Sequence, residues 1–134
     1  MKICIVISDY YKDVAQNLLK GSVSELKKNG YNNIKIKYVS GAFEIPNMIS
    51  RNINKFNAFI ALGCIIKGKT DHYHFISQAV IMGIMNLSIK SKKPIGLGIL
   101  TCNNLKQAKI RAAISKKNKG KEVSLGIISI LKNK

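Results

Sequence analysis

Residues 59–77 read FIALGCIIKGKTDHYHFIS, and this stretch decides the fold. Its first eight residues contain no charged or hydroxyl side chain, which predicts a strand buried on both faces of a sheet. Gly68 then marks a turn, and a helix is predicted from Tyr73 onward. A helix that starts after a buried strand presents unpaired backbone N–H groups and partial positive charge at one point. Because both histidines, His72 and His74, lie there, we expect the chemistry at this point.

Strands and helices alternate along the rest of the chain. The apolar patterns predict strands over residues 3–8, 34–39, 58–66 and 94–101, the second of them near an edge, and helices over about 15–29, 42–53, 73–90, 105–114 and 123–131. This order predicts an α/β three-layer sandwich, a four-stranded parallel sheet with helices on both faces, and residues 1–134 are read as one domain. In such a sheet ligands bind at the carboxyl ends of the strands.

The sequence carries a formal net charge of +17. Apart from Arg51 and Arg111, every basic residue is a lysine, and the lysines are spread from Lys2 to Lys134. A nucleic-acid-binding module is one interpretation of this charge, and an ordinary lysine-rich surface is the other. The scarcity of arginine, which suits bidentate contacts to phosphates and bases, favours the ordinary surface. We therefore expect no specific nucleic acid as a partner.

The cysteine pattern indicates the compartment. Cys4, Cys64 and Cys102 lie in or beside apolar runs without a CxxC spacing, which predicts buried, reduced thiols and a cytoplasmic protein. No apolar run reaches the roughly 18 residues that cross a bilayer, so no membrane is expected as a partner. The first nine residues become polar too early for a signal peptide and are read as the first strand.

Residues 63–70, GCIIKGKT, match the spelling of a P-loop. A P-loop needs the residues after its first glycine to form a loop whose amides hold phosphates. Here residues 64–66 continue the apolar run, and no downstream apolar strand ends in the aspartate that usually holds Mg²⁺. We therefore expect the strand to run straight through Gly63. A P-loop nucleotide enzyme stays an alternative, while phosphate binding near Lys69 and Thr70 does not depend on it.

Four side chains near the predicted strand ends are candidates for chemistry. His72 and His74 are two residues apart, so they point in different directions, and no Cys or Glu completes a metal site with them. Proton transfer by one histidine suits an anion site at neutral pH, and a solvated or capping histidine is the alternative. Glu44 either stabilises a helix N-terminus or contacts a ligand. Tyr10 is either a rim aromatic or a ring-stacking partner.

Several separated motifs follow one another with characteristic spacing. They are GAFEIP at residues 41–46, ALGCIIKGKTDHY at 61–73 and GILT at 98–101, followed by Gln107-Ala108, Arg111-Ala112 and Asn118-Lys119-Gly120. In this order they resemble the 6,7-dimethyl-8-ribityllumazine synthase family over nearly the whole chain. The resemblance implies a flavodoxin-like sheet and an enzyme of riboflavin biosynthesis. That enzyme condenses two small molecules, 5-amino-6-(D-ribitylamino)uracil and 3,4-dihydroxy-2-butanone 4-phosphate, with loss of phosphate and water and without a cofactor or metal.

The resemblance also implies a role for each matching residue. His72 would transfer protons and Tyr10 would stack on the pyrimidine ring. The ribityl side would be held by Ala42, Phe43 and Glu44, the pyrimidine edge by Cys64, Ile65 and Ile66, and the phosphate by Lys69, Thr70 and Arg111. In the family the pocket lies between neighbouring subunits, so Leu97, Arg111 and Lys119 would come from the adjacent chain, Lys119 near the phosphate.

The chain departs from the family pattern at several positions. Asp9-Tyr10-Tyr11 replaces a usual Arg-Phe-Asn, Ser40 a usual Pro, Leu97 a frequent Phe, and His74 a usual acidic residue, while Ala113 and Lys117 replace glycines of capsid-forming members. The last two changes favour a homopentamer over a capsid of twelve pentamers. Riboflavin synthases of the archaeal type share the fold and use two lumazine molecules, so that activity stays an alternative.

Overall fold

All four predicted strands pair side by side in one parallel sheet. In the computed structural model, which describes residues 1–133, the strands β1 (Ile3–Ser8), β2 (Ile34–Val39), β3 (Ala58–Ile66) and β4 (Ile95–Cys102) lie in the order β2-β1-β3-β4. The long apolar run places β3 inside the sheet, paired with β1 on one side and β4 on the other. The edge position predicted for β2 is confirmed. This order is that of flavodoxin-like folds without a fifth strand.

Among the described residues, 1–133, five α-helices cover the sheet. They are α1 (Lys12–Lys28), α2 (Ile45–Arg51), α3 (His72–Ser91), α4 (Leu105–Ala112) and α5 (Lys119–Lys132). The predicted end of α1 is confirmed by Gly30, whose φ of +89° is a left-handed conformation that favours glycine. The side chain of Asn104 caps α4 and that of Asn118 caps α5, each accepting a backbone N–H from the first turn. The predicted α/β three-layer fold is therefore confirmed.

Two helix predictions were too long. The helix expected over residues 42–53 divides into a single 3₁₀ turn, Ala42–Glu44, and the short α2, with Pro46 in its first turn. The backbone N–H groups of a helix's first turn have no acceptor within the helix. Proline, which lacks this N–H, is therefore tolerated there. The other helix, α4, ends at Ala112 rather than residue 114, because Ala113 adopts an extended conformation.

Side chains alternate across the sheet and build two separate cores. The core beneath α1, α4 and α5 contains Ile5, Ile60 and Leu100, whereas the core beneath α2 and α3 contains Val6 and Phe59. Each of these side chains is completely buried. Burial of this apolar area is the main term that stabilises the fold.

The layer of α1, α4 and α5 is packed closely enough to need small residues. A Cβ atom at Gly120 would overlap with the backbone carbonyl oxygen of Leu18, so only glycine allows α5 to approach α1 this closely. Ser22 and Ser124 lie opposite each other across the two helices, with their buried hydroxyl oxygens 2.7 Å apart. The buried polar atoms of this contact are thus paired within the chain.

The outer surface of α3 is different. Phe75, Met82, Met85 and Ile89 form one stripe along the helix and are 51–70% exposed. In the sequence Phe75 belongs to the broad apolar face of the helix predicted over residues 73–90, but the buried residues of α3 are Ser77, Val80 and Ile84. We call the four exposed residues the α3 stripe.

Among residues 1–133, no helix is long and apolar enough to cross a membrane.

Candidate active site

The site predicted from the sequence lies at the carboxyl edge of the sheet, where all four parallel strands end. β2 pairs with one side of β1 and β3 with the other, so the order in which strands are added to the sheet changes direction between β1 and β3. Open α/β sheets bind ligands at such a switch point. Tyr10 follows β1, the turn Ala42–Glu44 follows β2, and the loop of residues 67–71 follows β3.

The P-loop spelling does not form a P-loop. Gly63 is buried inside β3 and pairs with Ile99 of β4, so the backbone of residues 63–66 is hydrogen-bonded strand rather than phosphate-binding loop. The strand continues to Ile66, and the N–H of Lys67 still donates to the carbonyl oxygen of Cys102 at 2.9 Å. The exposed turn begins only after this bond, which leaves the side chains of Lys69 and Thr70 open to solvent.

His72 is the first residue of α3 and is exposed. Its backbone N–H donates to the Oγ1 atom of Thr70 at 3.3 Å, a bond that orients the start of the helix. The ring of His74 lies against Tyr73 in an edge-to-face contact, with centroids 5.1 Å apart. His72 is therefore exposed at the start of α3, and His74, which is exposed as well, lies against its neighbour Tyr73.

Glu44 is held by a contact that the sequence did not indicate. The hydroxyl of Ser40 donates to the Oε1 atom of Glu44 at 3.1 Å. A Cβ atom placed on Gly41 would lie 3.0 Å from the same oxygen, so the carboxylate folds back over Gly41. The carboxylate is thereby oriented before any ligand binds, although it remains exposed to solvent.

Two adjacent tyrosines lie after β1. The Tyr10 side chain is 73% exposed, and its ring meets that of Tyr11 in an edge-to-face contact with centroids 5.0 Å apart. Tyr11 is half-buried and packs against the core beneath α1, α4 and α5. Burial raises the pKa of the Tyr11 hydroxyl, and the neighbouring Cys64 and Tyr10 add to the rise.

Cys64 lies half-buried near the end of β3. Burial raises the pKa of its thiol to about 12, the nearby Cys102 thiol adds to the rise, and the Arg111 guanidinium opposes it. A thiol with such a pKa stays protonated at neutral pH, so Cys64 is suited to packing and not to nucleophilic attack. The guanidinium of Arg111 donates to the sulfur of Cys102 at 3.8 Å. The predicted burial of Cys4 and Cys102 is confirmed.

The residues that follow β1, β2 and β3 are called the strand-end cluster, namely Tyr10, Glu44, Lys69, Thr70 and His72. Leu97 and Lys119 lie apart from it, whereas the guanidinium of Arg111 reaches the end of β4 through its contact with Cys102. Leu97 is in the middle of β4, paired with Ala61, and is several residues from the carboxyl edge. Arg111 is on α4 and Lys119 begins α5, both on the face of the sheet opposite α2 and α3. Lys119 makes an ion pair of 3.3 Å with Glu122. A single chain therefore brings together only part of the predicted site.

The strand-end cluster suits an anionic, polar ligand. Within residues 1–133, no group of three or more His, Cys, Asp or Glu side chains is placed to hold a metal ion. What the cluster offers is an aromatic ring, a carboxylate, an imidazole and the Lys69 ammonium group beside a helix N-terminus. An aromatic ring can stack on a flat ligand ring, an ammonium group beside a helix N-terminus can bind a phosphate, and an imidazole can transfer protons.

Sequence reasoning missed Tyr11, Ser40 and Cys102 as supports of the site. Tyr11 and Ser40 had been noted only as departures from a family pattern, and Cys102 as a buried thiol. Each supports a predicted residue through one side-chain contact. A repeat of one aromatic type, Tyr10-Tyr11, was the available signal for the first of these contacts.

Comparison with known proteins gives a consistent result. A family model described as 6,7-dimethyl-8-ribityllumazine synthase matches residues 1–134. A protein of that name from Buchnera aphidicola subsp. Baizongia pistaciae is 45% identical, over 96% of this chain and 84% of the relative. Proteins of the same name from Limosilactobacillus reuteri and Blochmanniella floridana are 38% and 40% identical, over 97% of this chain and 87% and 85% of those relatives.

Proposed function

The chain belongs to the 6,7-dimethyl-8-ribityllumazine synthase family, and from this membership we propose the reaction it catalyses. It condenses 5-amino-6-(D-ribitylamino)uracil with 3,4-dihydroxy-2-butanone 4-phosphate and releases 6,7-dimethyl-8-ribityllumazine, phosphate and water. The observation that carries the proposal is the full-length family match, together with the exposed His72 at the start of α3. Residues 1–134 act as one domain in this reaction.

The phosphate end of the butanone substrate binds at the start of α3. Loss of phosphate leaves charge on the departing oxygens, and positive groups that face them lower the energy of that step. Lys69, Thr70 and the partial positive charge at the start of the helix meet this need from one chain. Arg111 adds a planar fork that grips two phosphate oxygens, and Lys119 contributes a second ammonium group.

The pyrimidine substrate binds between β1 and β3. Tyr10 stacks on its ring, while Cys64, Ile65 and Ile66 line the ring edge. Ala42, Phe43 and the oriented carboxylate of Glu44 hold the ribityl chain, whose hydroxyls are hydrogen-bond donors. The amine of this substrate attacks the butanone carbonyl, and His72 carries the protons that imine formation, phosphate loss and ring closure require.

The active sites lie between subunits of a homo-oligomer. Leu97 and Lys119 are separated from the strand-end cluster of their own chain, and the exposed α3 stripe suits contact with another copy. We favour a pentamer over a sixty-subunit capsid because Ala113 and Lys117 stand where capsid-forming members have glycine. A particle of about 74 kDa, five chains of 14.8 kDa, is the expected mass in solution.

We place this enzyme in the cytoplasm, where its two small-molecule substrates are made and where thiols stay reduced. The alternative activities predict other results. A P-loop enzyme requires a phosphate-binding loop at residues 63–66, which form a strand instead. An archaeal-type riboflavin synthase would make riboflavin from the lumazine alone.

The first test mixes both substrates with the protein and follows the absorbance and fluorescence of the lumazine. Wild-type protein is expected to form it, and His72→Ala to lower kcat by about 10²–10⁴-fold, the usual contribution of a general acid or base. His74→Ala is the matched control and is expected to keep kcat unchanged. Riboflavin formed from lumazine alone, or full activity of His72→Ala, would contradict the proposal.

The second test addresses the shared site. His72→Ala and Arg111→Ala subunits, each impaired alone, are unfolded, mixed and refolded together. If His72 and Arg111 meet from different chains, random pairing gives about a quarter of the interfaces both intact residues, and activity returns. If both residues act within one chain, no mixture regains activity, and the intersubunit site is wrong.

A further inference from the structure

Tyr11 joins two side chains that the proposed function assigns to the pyrimidine. Its ring meets Tyr10 edge to face at 5.0 Å, with an angle of 75° between the ring planes. Tyr11 and Cys64 pack against the same core, and the neighbouring Cys64 adds to the rise in the pKa of the Tyr11 hydroxyl. Tyr10 follows β1 and Cys64 belongs to β3, so Tyr11 spans the switch point between these strands.

The burial of the two tyrosines is unequal, and this inequality defines their roles. Tyr10 is 73% exposed, and a side chain so open loses rotamer freedom when it stacks on a ligand. Tyr11 is half-buried, packs against the core beneath α1, α4 and α5, and its carbonyl oxygen accepts the N–H of Ala15 in the first turn of α1. A fixed ring beside a mobile ring restricts the mobile one, because edge-to-face geometry is favoured over other arrangements.

We propose that Tyr11 is a positioning residue that holds the Tyr10 ring in its stacking orientation and so sets the affinity for the pyrimidine substrate. This inference rests on the proposed function, because it takes Tyr10 as the stacking partner. Tyr11 acts through its ring and not through its hydroxyl. It does not touch the phosphate substrate, so its effect is confined to one of the two substrates.

Steady-state kinetics with both substrates tests this role. An aromatic pair contributes enough to change binding by about three- to tenfold, so Tyr11→Ala is expected to raise KM for the aminouracil by that factor. KM for the butanone phosphate is expected to stay at the wild-type value. Tyr11→Phe keeps the ring and is expected to keep both KM values. An equal rise in Tyr11→Phe would assign the effect to the hydroxyl and overturn the inference.

Tyr31 offers a matched control. It is also a half-buried tyrosine packed against the same core, but it follows α1 near the amino edge of the sheet. Tyr31→Ala therefore removes comparable packing without touching Tyr10. If Tyr31→Ala reproduces the selective rise in KM for the aminouracil, Tyr11 contributes only to general stability and the inference fails.

A double-mutant cycle asks whether Tyr11 acts through Tyr10. The binding of 6,7-dimethyl-8-ribityllumazine is titrated by its fluorescence in wild type, Tyr10→Ala, Tyr11→Ala and the double variant. If the effect passes through Tyr10, the double variant binds as weakly as Tyr10→Ala and no more weakly. Additive losses overturn the inference while lumazine synthesis by the wild type continues, whereas a wild type that makes no lumazine overturns the proposed function itself.

Discussion

The two layers of helices on the sheet differ in how completely one chain covers them. In the layer of α1, α4 and α5, the buried hydroxyls of Ser22 and Ser124 pair at 2.7 Å and the helices meet at Gly120. In the layer of α2 and α3, the Oγ atom of Ser77 is buried without a hydrogen-bond partner among the described residues. The outer surface of that layer is the exposed α3 stripe. The contact between α1 and α5 is complete within the chain, and the outer surface of α3 has the features of a surface that packs against another molecule.

This difference matters for the site because each layer contributes part of it. The turn Ala42–Glu44 and His72 belong to the layer of α2 and α3, while Arg111 and Lys119 belong to the other. Lys119 is separated from the first group by the sheet, whereas the guanidinium of Arg111 reaches the end of β4 at Cys102. In the enzyme that we propose, Arg111 comes from a neighbouring copy, and assembly and catalysis are then linked.

The close contact between α1 and α5 can be disrupted by adding one methyl group at Gly120. Gly120→Ala is expected to lower the free energy of unfolding by about 3–5 kcal/mol, because its methyl group collides with the Leu18 backbone. Urea denaturation followed by circular dichroism measures the change. On the same helix Gly126→Ala meets nothing within 4 Å and is expected to raise stability by up to about 1 kcal/mol. Equal stability of the two variants would show that the helices do not meet closely.

The role of the α3 stripe as a subunit contact can be tested by placing a charge on it. Met82→Lys is expected to weaken each subunit contact by about 2–4 kcal/mol, because the charge loses its water on assembly. Light scattering coupled to size-exclusion chromatography should show a loss of mass, and lumazine synthesis should fall with it. Ile130→Lys on α5 is the control, since Ile130 is 58% exposed and Met82 is 52% exposed. Dissociation by Ile130→Lys alone would place the subunit contact on the layer of α1, α4 and α5 and would contradict this prediction.

The limits of sequence reasoning follow the same division. A strand buried on both faces produces a continuous apolar run, so β3 and the passage of the chain through Gly63 were predictable from residues 59–66. Helix α3 is apolar on nearly all sides, and periodicity cannot tell a side facing the sheet from a side facing another molecule. For this reason the apolar pattern does not reveal that Phe75, on the broad apolar face of this helix, is 70% exposed.

Part of the candidate site was predictable for a simple reason. Parallel strands end at one edge, so the residues after β1, β2 and β3 had to lie there. Contacts between neighbouring side chains depend on rotamers, which no spacing encodes, and so the supports at Ser40 and Tyr11 were missed. The proposed sharing of Arg111 between chains came only from a family resemblance, since no local pattern distinguishes a residue used by its own chain from one used by a neighbour.

The burial of Cys4 beneath α2 and α3 can be tested by the pH dependence of stability. Cys4 is completely buried beneath α2 and α3, and burial raises the pKa of its thiol from 9.0 to about 11, against the opposing effect of Lys37. A thiol with a raised pKa favours folding fully below pH 9 and loses that contribution as pH rises toward 11. The wild type is thus expected to lose about 2–3 kcal/mol of unfolding free energy over this range relative to Cys4→Val.

Urea denaturation at pH 8, 9, 10 and 11 measures this effect. All other ionisable groups are common to both proteins, so their contribution cancels in the difference between wild type and Cys4→Val. Parallel pH profiles of the two proteins would mean that the Cys4 thiol ionises as easily in the folded state as in the unfolded chain, and that the open layer admits water to the sheet.

The smallest predicted effect concerns Glu44, a site side chain that is hydrogen-bonded within its own chain. Removing the Ser40 hydroxyl frees the Glu44 carboxylate, which must then be ordered when the ribityl chain binds. Ser40→Ala is expected to raise KM for the aminouracil by about two- to threefold, as for an exposed hydrogen bond at the weak end of its range. Ser40→Thr keeps a hydroxyl and should restore the wild-type value, and Ser50→Ala, on the exposed face of α2, should leave it unchanged. An unchanged KM in Ser40→Ala would mean that Glu44 is ordered by the substrate or by a neighbouring subunit, and the open layer would then hold no part of the site in advance.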